Sequence, residues 1–152
     1  MIKNRFLIII SAMVLSVLFS SCKKDSNQGE IDRGLIEAYV LDNNLDGQFT
    51  SSGLYYVIEQ PGASDRPTVN SNVTVSYKGY KLDGSMFDEG DYFTSKLSDL
   101  IVGWQEGIQL IGEGGKIKLV IPSGIAYGSN GSGSIGSNEV LVFDITQHYF
   151  SN

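Results

Sequence analysis

Seven aromatic residues are the strongest candidates for chemistry in this chain of 152 residues. All of them fall near the ends of predicted strands or in loops; they are Tyr77, Phe87, Tyr92, Phe93, Trp104, Tyr127 and Phe143. Aromatic side chains in such places line concave apolar binding sites, where a few polar groups orient the ligand. The same rings could instead form a plain aromatic core. The residue types alone leave both interpretations open.

Three other features could carry different chemistry, but their context argues against it. Residues 131–136, GSGSIG, match a dinucleotide-binding motif, yet they lead into a predicted strand instead of opening a helix. Residues 42–47, DNNLDG, match half of a calcium loop, but Gly53 stands where the bidentate glutamate belongs, so we predict a turn that ends a helix. His148 has no neighbours at ligand or catalytic spacing and is interpreted as an ordinary sheet residue. We expect neither a cofactor nor a metal.

The first 21 residues have the pattern of a secretory signal, with two cations, an apolar run at residues 6–19 and small residues before Cys22. The apolar run is too short for a membrane span. Cys22 is the only cysteine, and LFSSC resembles the lipobox of bacterial lipoproteins, although Phe19 replaces the preferred leucine. An unpaired cysteine is otherwise hard to explain in an exported protein. We therefore expect lipidation at Cys22 and a place in the bacterial cell envelope, on the periplasmic or outer face of the outer membrane.

The mature chain is acidic. Removal of residues 1–21 deletes Lys3 and Arg5 and no acid, so the formal net charge goes from −6 to −8. Such a charge argues against nucleic acid or anionic phospholipid as a partner. Any membrane contact would come from acyl chains on Cys22. Because the chain has one cysteine, it cannot form an internal disulfide.

Residues 22–60 divide into two parts. Residues 22–30 lack an apolar period, so we predict that they form a flexible tether after the lipidated cysteine. Residues 31–60 read as an N-terminal extension of one helix and one strand. The helix is indicated by apolar residues at helical spacing, which are Ile31, Leu35, Ile36, Tyr39 and Val40.

Strands dominate the main domain, which we assign to residues 61–152. Residues 73–82, 116–122 and 140–150 alternate apolar and polar side chains, as an antiparallel sheet with one solvated face requires. One helix is predicted at about residues 103–111, ended by the GEGG run. The predicted architecture is an α+β domain, in which one short helix lies across the apolar face of a sheet.

Four blocks within residues 73–147 stand in a recognisable order and spacing: VTVSYKGYKLDGSMFD, LIVGWQEGIQLI, GGKIKLVIPSGIAYG and VLVFDI. Together they resemble the FK506-binding-protein family of peptidyl-prolyl cis-trans isomerases. The resemblance implies a curved antiparallel sheet wrapped around one short α-helix, here with an N-terminal helical extension. It also implies an enzyme that acts on proline-containing polypeptides and is able to bind FK506- or rapamycin-type macrolides. We expect the protein to be a monomer. The alternative is a binding module that keeps the pocket and holds proline-containing segments with little turnover.

The resemblance further implies which residues form the pocket. In the family the tryptophan forms the floor for the proline ring, and here that residue is Trp104. The positions of this chain that match the family's pocket residues are Tyr77, Phe87, Asp88, Leu100, Ile101, Trp104, Tyr127, Ile135 and Phe143. Asp88 matches the pocket carboxylate. The Tyr127 hydroxyl and the Ile101 N–H match the groups that donate to substrate carbonyls.

Two segments depart from the family pattern. Ile135 lies on a loop that overhangs the site, and residues 136–137, Gly-Ser, replace two prolines there. We expect this loop to be looser than usual, because prolines restrict the chain. Residues 89–98 match poorly, so either Tyr92 or Phe93 could supply the usual aromatic wall. Glu139 stands where small residues are common.

Overall fold

The computed structural model describes residues 24–152. The predicted signal at residues 1–21 and the predicted anchor at Cys22 lie outside the described residues. Between residues 24 and 152, no helix combines the length and the apolar character that crossing a membrane requires.

An open antiparallel sheet of six strands forms the body of the molecule. The strands are β1 (Gln48–Phe49), β2 (Tyr55–Gln60), β3 (Asn72–Lys81), β4 (Met86–Lys96), β5 (Lys116–Ile121) and β6 (Leu141–Ser151). Their order in the sheet is β1-β2-β5-β6-β3-β4. The two helices are α1 (Lys24–Asp42) and α2 (Val102–Ile108), and short 3-10 turns lie at Leu97–Asp99, Ser123–Ile125 and Gly128–Asn130. The predicted α+β architecture is confirmed.

The inner face of the sheet packs against α2 and forms the main core. Gly103 allows the close approach, because a Cβ atom there would lie 2.4 Å from the Cγ2 atom of Ile121. Ile108 and Ile111 are fully buried in the same core. The helix ends at Ile108, earlier than predicted. Residues 109–111 continue as a turn, in which the Leu110 N–H donates to the Gly107 carbonyl at 3.1 Å.

The outer face of the sheet carries a second, smaller core under α1. Ile36 of α1 is fully buried and packs with Tyr55, Val120 and Val142. These valines alternate along β5 and β6 with side chains that point into the main core, as the period of two in a strand requires. The sheet therefore lies between α2 on one face and α1 on the other.

The prediction of a flexible tether at residues 22–30 is wrong where the structure describes it, because α1 already begins at Lys24. The first half of α1 is stabilised by a hydrogen bond from Gln28 Nε2 to Asp32 Oδ1 at 2.7 Å and by the two hydrogen bonds that the buried Asp32 accepts from Ser123. The predicted apolar face also differs, since Ile31 and Leu35 are 47% and 44% exposed. The buried face contains a charged residue, and a pattern of apolar residues could not reveal it.

The DNNLDG segment forms the predicted turn at the end of α1. The Asn43 N–H donates to the Tyr39 carbonyl at 3.0 Å, and the Leu45 N–H donates to the Val40 carbonyl at 3.0 Å. Asn44 has φ +51°, a left-handed conformation that asparagine tolerates at helix ends.

Strand β4 was not predicted from the sequence. It lies at the edge of the sheet, and most of its side chains are exposed, so it has no apolar alternation. Its pairing with β3 is also irregular, with a register shift between Val75 and Tyr77. Tyr92 takes φ +50° close to this irregularity. A bulged edge strand gives little periodic signal.

Candidate active site

A cavity of about 270 Å³ opens between β3, β4, the start of α2 and the loop after β5. Its lining consists of Tyr77, Asp88, Phe93, Asp99, Leu100, Ile101, Trp104, Tyr127 and Phe143. Seven of the nine predicted site residues therefore line a single cavity. The other two, Phe87 and Ile135, lie close by without lining it.

Trp104 lies at the centre of the aromatic lining. Its ring is 4.9 Å from that of Tyr77 and 5.2 Å from that of Phe143, and both pairs meet edge to face. The residue is 5% exposed, and its indole Nε1 is buried without an acceptor among the described residues. An unpaired buried donor typically costs about 1–3 kcal/mol of stability. The nitrogen is covered, so Trp104 contributes its ring and not its N–H to the lining of the cavity.

The corner between the 3-10 turn and α2 sets the position of Trp104. Ile101 precedes the helix in an extended conformation, and its carbonyl accepts hydrogen bonds from the N–H groups of Trp104 at 2.9 Å and Gln105 at 3.1 Å. Gln105 Nε2 also donates to the Leu100 carbonyl at 2.7 Å. The chain therefore turns sharply, and Leu100, Ile101 and Trp104 all reach the cavity.

Phe93, and not Tyr92, supplies the aromatic wall that the sequence left open. The Phe93 ring lies 5.9 Å from the Tyr77 ring and lines the cavity. The Tyr92 ring stacks on the His148 ring, with 4.1 Å between centroids and an angle of 13°. His148 belongs to the outer face of β6, so adjacent residues of the β4 bulge point to opposite faces of the sheet.

Phe87 supports the site from behind. Its ring stands perpendicular to the Phe143 ring at 5.5 Å. It covers Gly79, where a Cβ atom would lie 2.7 Å from the Phe87 ring. Phe143 is thus held between a ring that supports it and the Trp104 indole that borders the cavity.

Ile135 is 8% exposed and belongs to the main core. Its loop is closed by two hydrogen bonds, from the Ser132 N–H to the Ile135 carbonyl at 3.0 Å and from the Ile135 N–H to the Ser132 carbonyl at 2.8 Å. Glu139 braces the same loop, since its Oε2 accepts from the Gly136 N–H at 2.6 Å and its Oε1 pairs with Lys81 Nζ at 3.1 Å. These contacts give Glu139 a role that the sequence did not indicate. The looser loop stays a prediction.

Two phenols and a carboxylate form the polar part of the cavity. The Tyr77 hydroxyl donates to Asp88 Oδ2 at 2.8 Å. Burial, the hydrogen bond to Asp88 and the negative charge of Asp88 raise the pKa of Tyr77 to about 12. Burial and the same carboxylate also raise the pKa of Tyr127. Both phenols are therefore protonated donors at neutral pH.

The rim of the cavity is acidic. Asp88 and Asp99 are the charged residues among those that line it. Asp99 was not predicted as a site residue. It directly precedes Leu100, and the 3-10 turn at Leu97–Asp99, which sequence periodicity does not reveal, brings it to the rim.

A larger cleft of about 610 Å³ lies on the outer face of the sheet. Its lining mixes acids with Lys78 and Lys116, and it contains one aromatic residue, Tyr77. Despite its size, we do not assign chemistry to it, because facing charges of both signs across neighbouring strands are typical of a solvated sheet surface. The smaller cavity combines apolar enclosure with a few polar groups, which is typical of ligand sites.

A family model described as FKBP-type peptidyl-prolyl cis-trans isomerase matches residues 63–148. Because the match covers more than half of the chain, the protein belongs to this family. The chain is 42% identical over 100 residues to the FKBP-type peptidyl-prolyl cis-trans isomerase FkpA of Escherichia coli, covering 63% of this chain and 37% of that protein. It is 44% identical over 116 residues to the probable FkpA of Neisseria meningitidis serogroup B, covering 72% of this chain and 43% of that protein.

Two crystal structures show the same fold. The E. coli FkpA structure matches with a TM-score of 0.73 and 34% identity, over 83% of this chain and 62% of that one. A peptidyl-prolyl cis-trans isomerase from Pseudomonas syringae pv. tomato matches with a TM-score of 0.73 and 28% identity, over 88% of this chain and 100% of that one. The chain thus spans about two fifths of the length of the curated relatives, but the whole of the second structure.

Proposed function

We propose that this protein is a peptidyl-prolyl cis-trans isomerase that accelerates rotation about X-Pro bonds. The observation that carries the proposal is the cavity of about 270 Å³ whose lining combines the Trp104 indole with two phenols. Such a cavity suits a compact apolar ring with carbonyl groups on either side of it. None of the described side chains that line it is a serine, threonine, cysteine or histidine. Rotation about an amide needs no nucleophile.

The barrier to this rotation comes from amide resonance and is about 18–20 kcal/mol. The planar amide is more polar than the twisted amide, because resonance places negative charge on its oxygen. A dry aromatic cavity therefore binds the twisted form better than the planar form. A site that prefers the twisted form over the planar form lowers the barrier.

The polar groups orient the peptide. The Tyr127 hydroxyl and the Ile101 N–H would donate to substrate carbonyls on either side of the proline ring. Asp88 accepts from the Tyr77 hydroxyl at 2.8 Å, so its role is to fix the Tyr77 ring and to order the rim. In this mechanism no proton is transferred.

A protease-coupled assay on an X-Pro peptide tests the proposal. Wild type should accelerate cis-to-trans conversion, and an FK506- or rapamycin-type macrolide should compete with the peptide. The double variant Asp88→Val/Tyr127→Phe should be much slower than wild type. No acceleration by wild type, or equal acceleration by the double variant, would contradict the mechanism and favour the binding module.

We further propose that the enzyme acts as a monomer on exported proteins and is held at the bacterial envelope by lipid on Cys22. The support for export and for the anchor is the sequence pattern that ends at the chain's only cysteine. Labelling cells with a radioactive fatty-acid precursor should mark wild type but not Cys22→Ser. Equal labelling of both proteins would contradict the anchor.

A further inference from the structure

A buried carboxylate joins the N-terminal helix to the loop that carries Tyr127. Asp32 of α1 is 1% exposed. Its Oδ2 accepts hydrogen bonds from the Ser123 N–H at 2.8 Å and from the Ser123 hydroxyl at 2.7 Å. We propose that Asp32 is a positioning residue, which holds Tyr127 in the geometry that substrate binding requires. This inference rests on the proposed isomerase function.

The bonding of Asp32 argues for a specific role. Transfer of a carboxylate out of water is unfavourable unless hydrogen bonds or an opposite charge compensate for the lost hydration. Here three hydrogen bonds compensate, two from Ser123 and one from Gln28 Nε2 at 2.7 Å. No cation lies within salt-bridge distance of Asp32 in the part of the chain that the structure describes. An apolar side chain in this place would leave the N–H and the hydroxyl of the buried Ser123 without an acceptor, so the carboxylate serves these two donors.

Ser123 begins the short segment that ends at Tyr127. The 3-10 turn Ser123–Ile125 is closed by a hydrogen bond from the Ala126 N–H to the Ser123 carbonyl at 3.0 Å. On the other side of Tyr127, the Gly128 carbonyl accepts from the Asn138 N–H at 2.8 Å. Tyr127 itself is 37% exposed, so its own packing gives it little support. The Asp32 contact is therefore one of two ties that flank the tyrosine.

The other end of the contact is firmly held. Ile36 lies one helical turn beyond Asp32 on the same side of α1 and is fully buried against the sheet. Asp32 thus reaches the loop from a fixed helix. Asp32 also lies outside residues 63–148, which match the family model. A segment outside the catalytic domain thereby takes part in shaping its pocket.

The expected effect falls on substrate affinity. If the loop samples other positions, only a fraction of the molecules can bind substrate, and the apparent dissociation constant rises in inverse proportion to that fraction. We expect Asp32→Ala to raise KM about five-fold or more and to change kcat less than about two-fold. Ser123→Ala keeps the hydrogen bond from the backbone N–H to Asp32, so it should raise KM less than Asp32→Ala does. Ser123→Thr keeps a hydroxyl as well and should have the KM of wild type. The double variant Asp32→Ala/Ser123→Ala should resemble Asp32→Ala alone, because Asp32→Ala already removes the bond of the Ser123 hydroxyl.

The test uses the full chain and two measurements. Steady-state kinetics gives kcat and KM, and hydrogen exchange by mass spectrometry follows the backbone of residues 122–130. The matched control is Glu37→Gln, which breaks an exposed ion pair with Arg33 in the same helix and should leave both measurements unchanged. Asp32→Asn replaces Asp32→Ala if the alanine variant does not fold, as judged by circular dichroism.

Faster exchange at residues 122–130, with a higher KM and a nearly unchanged kcat, would support the proposal. Exchange and KM within about two-fold of wild type in the Asp32 variant that folds would overturn it. An equal fall in activity and stability without a change in KM would also overturn it, since that indicates a general folding defect. If wild type is inactive, the isomerase function fails, and hydrogen exchange still decides whether Asp32 holds the loop.

Discussion

The inner face of β6 carries two buried regions of different kinds, which lie four residues apart. Phe143 borders the cavity above Trp104, whereas Gln147 is fully buried beneath the turn before β5. The Gln147 N–H donates to the Gly115 carbonyl at 2.9 Å, and the Gly114 N–H donates to the Gln147 carbonyl at 2.8 Å. The strand therefore borders a cavity at Phe143 and is covered by the turn at Gln147.

Each region contains a buried polar side chain without a hydrogen-bond partner among the described residues, the Trp104 indole and the Gln147 amide. Both should lower stability for the same physical reason. They differ in their surroundings, because the indole lines a cavity and the amide does not. An unpaired buried group therefore does not by itself mark a binding site, and at Trp104 it is the adjoining cavity that does so.

The largest effect is expected for Trp104→Ala, and comparison with a core variant shows whether activity is lost beyond the loss of stability. Trp104→Ala should lower kcat/KM more than about ten-fold, because the proline ring loses its floor. It should also destabilise the fold by about 3–5 kcal/mol. The control is Ile108→Ala in the same helix, which should cost a comparable 2–5 kcal/mol but keep its activity at a temperature where it is folded. Similar activities for the two variants would mean that Trp104 is only a core residue.

The second prediction concerns the polar rim. Asp88→Val should lower activity several-fold and should lower the pKa of Tyr77 from about 12 towards its ordinary value. Because burial, the largest cause of the shift, remains in the variant, the pKa of Tyr77 should stay above its ordinary value. Because the chain has eight tyrosines, an NMR titration that resolves the Tyr77 ring measures the change. Glu89→Gln, one residue further along β4, is the control and should leave the titration as it is in wild type.

Much of the fold could be predicted from the sequence, because β3, β5 and β6 alternate apolar and polar residues in a sheet with a buried face, and β2 was recognised as the strand of the extension. The edge strand β4 was missed for lack of such a pattern. The start of α1 was mistaken for a tether, since its stability comes from contacts of Asp32 that only the folded chain makes.

The pocket was predicted from the resemblance more than from periodicity. Seven of the predicted site residues inside the four matching blocks line the cavity. The places of Asp99 and Phe93 in the lining could not be predicted from the sequence, because Asp99 lies on a 3-10 turn and Phe93 on a bulged strand. The bracing role of Glu139 depends on Lys81, which is distant in sequence.

The third prediction is the dependence on pH. Activity should be nearly flat between pH 6 and 8, because no proton is transferred and both phenols keep their protons. The folded pKa of Tyr77 is about 12, above the ordinary value of about 10. Its contribution to stability should be complete below pH 10 and should be lost as the pH rises from about 10 to 12.

Urea unfolding across this pH range measures the loss. Tyr77→Phe should make the decline of the free energy of unfolding shallower. Part of the decline should remain, because the pKa of Tyr127 is also raised. An equally steep decline in the phenylalanine variant would show that other groups cause it. A steep change in activity between pH 6 and 8 would contradict a mechanism without proton transfer.

The smallest expected effect belongs to Gln147, in the part of β6 that the turn covers. Gln147→Met replaces an unpaired amide by an apolar chain of similar size, so the free energy of unfolding should rise by about 1 kcal/mol. Activity should stay within about two-fold of wild type. Urea unfolding and the peptide assay measure the two quantities. A loss of stability would mean that the amide is paired in solution, through bound water for example.

The most direct test of the account is exchange NMR on an X-Pro peptide. Small amounts of wild type should produce exchange cross-peaks between the cis and trans forms, Gln147→Met should do the same, and Trp104→Ala should not. Cross-peaks of equal strength with Trp104→Ala would contradict the role of the indole floor. Broadened peptide signals without any exchange cross-peaks would show a protein that binds proline segments without turning them over.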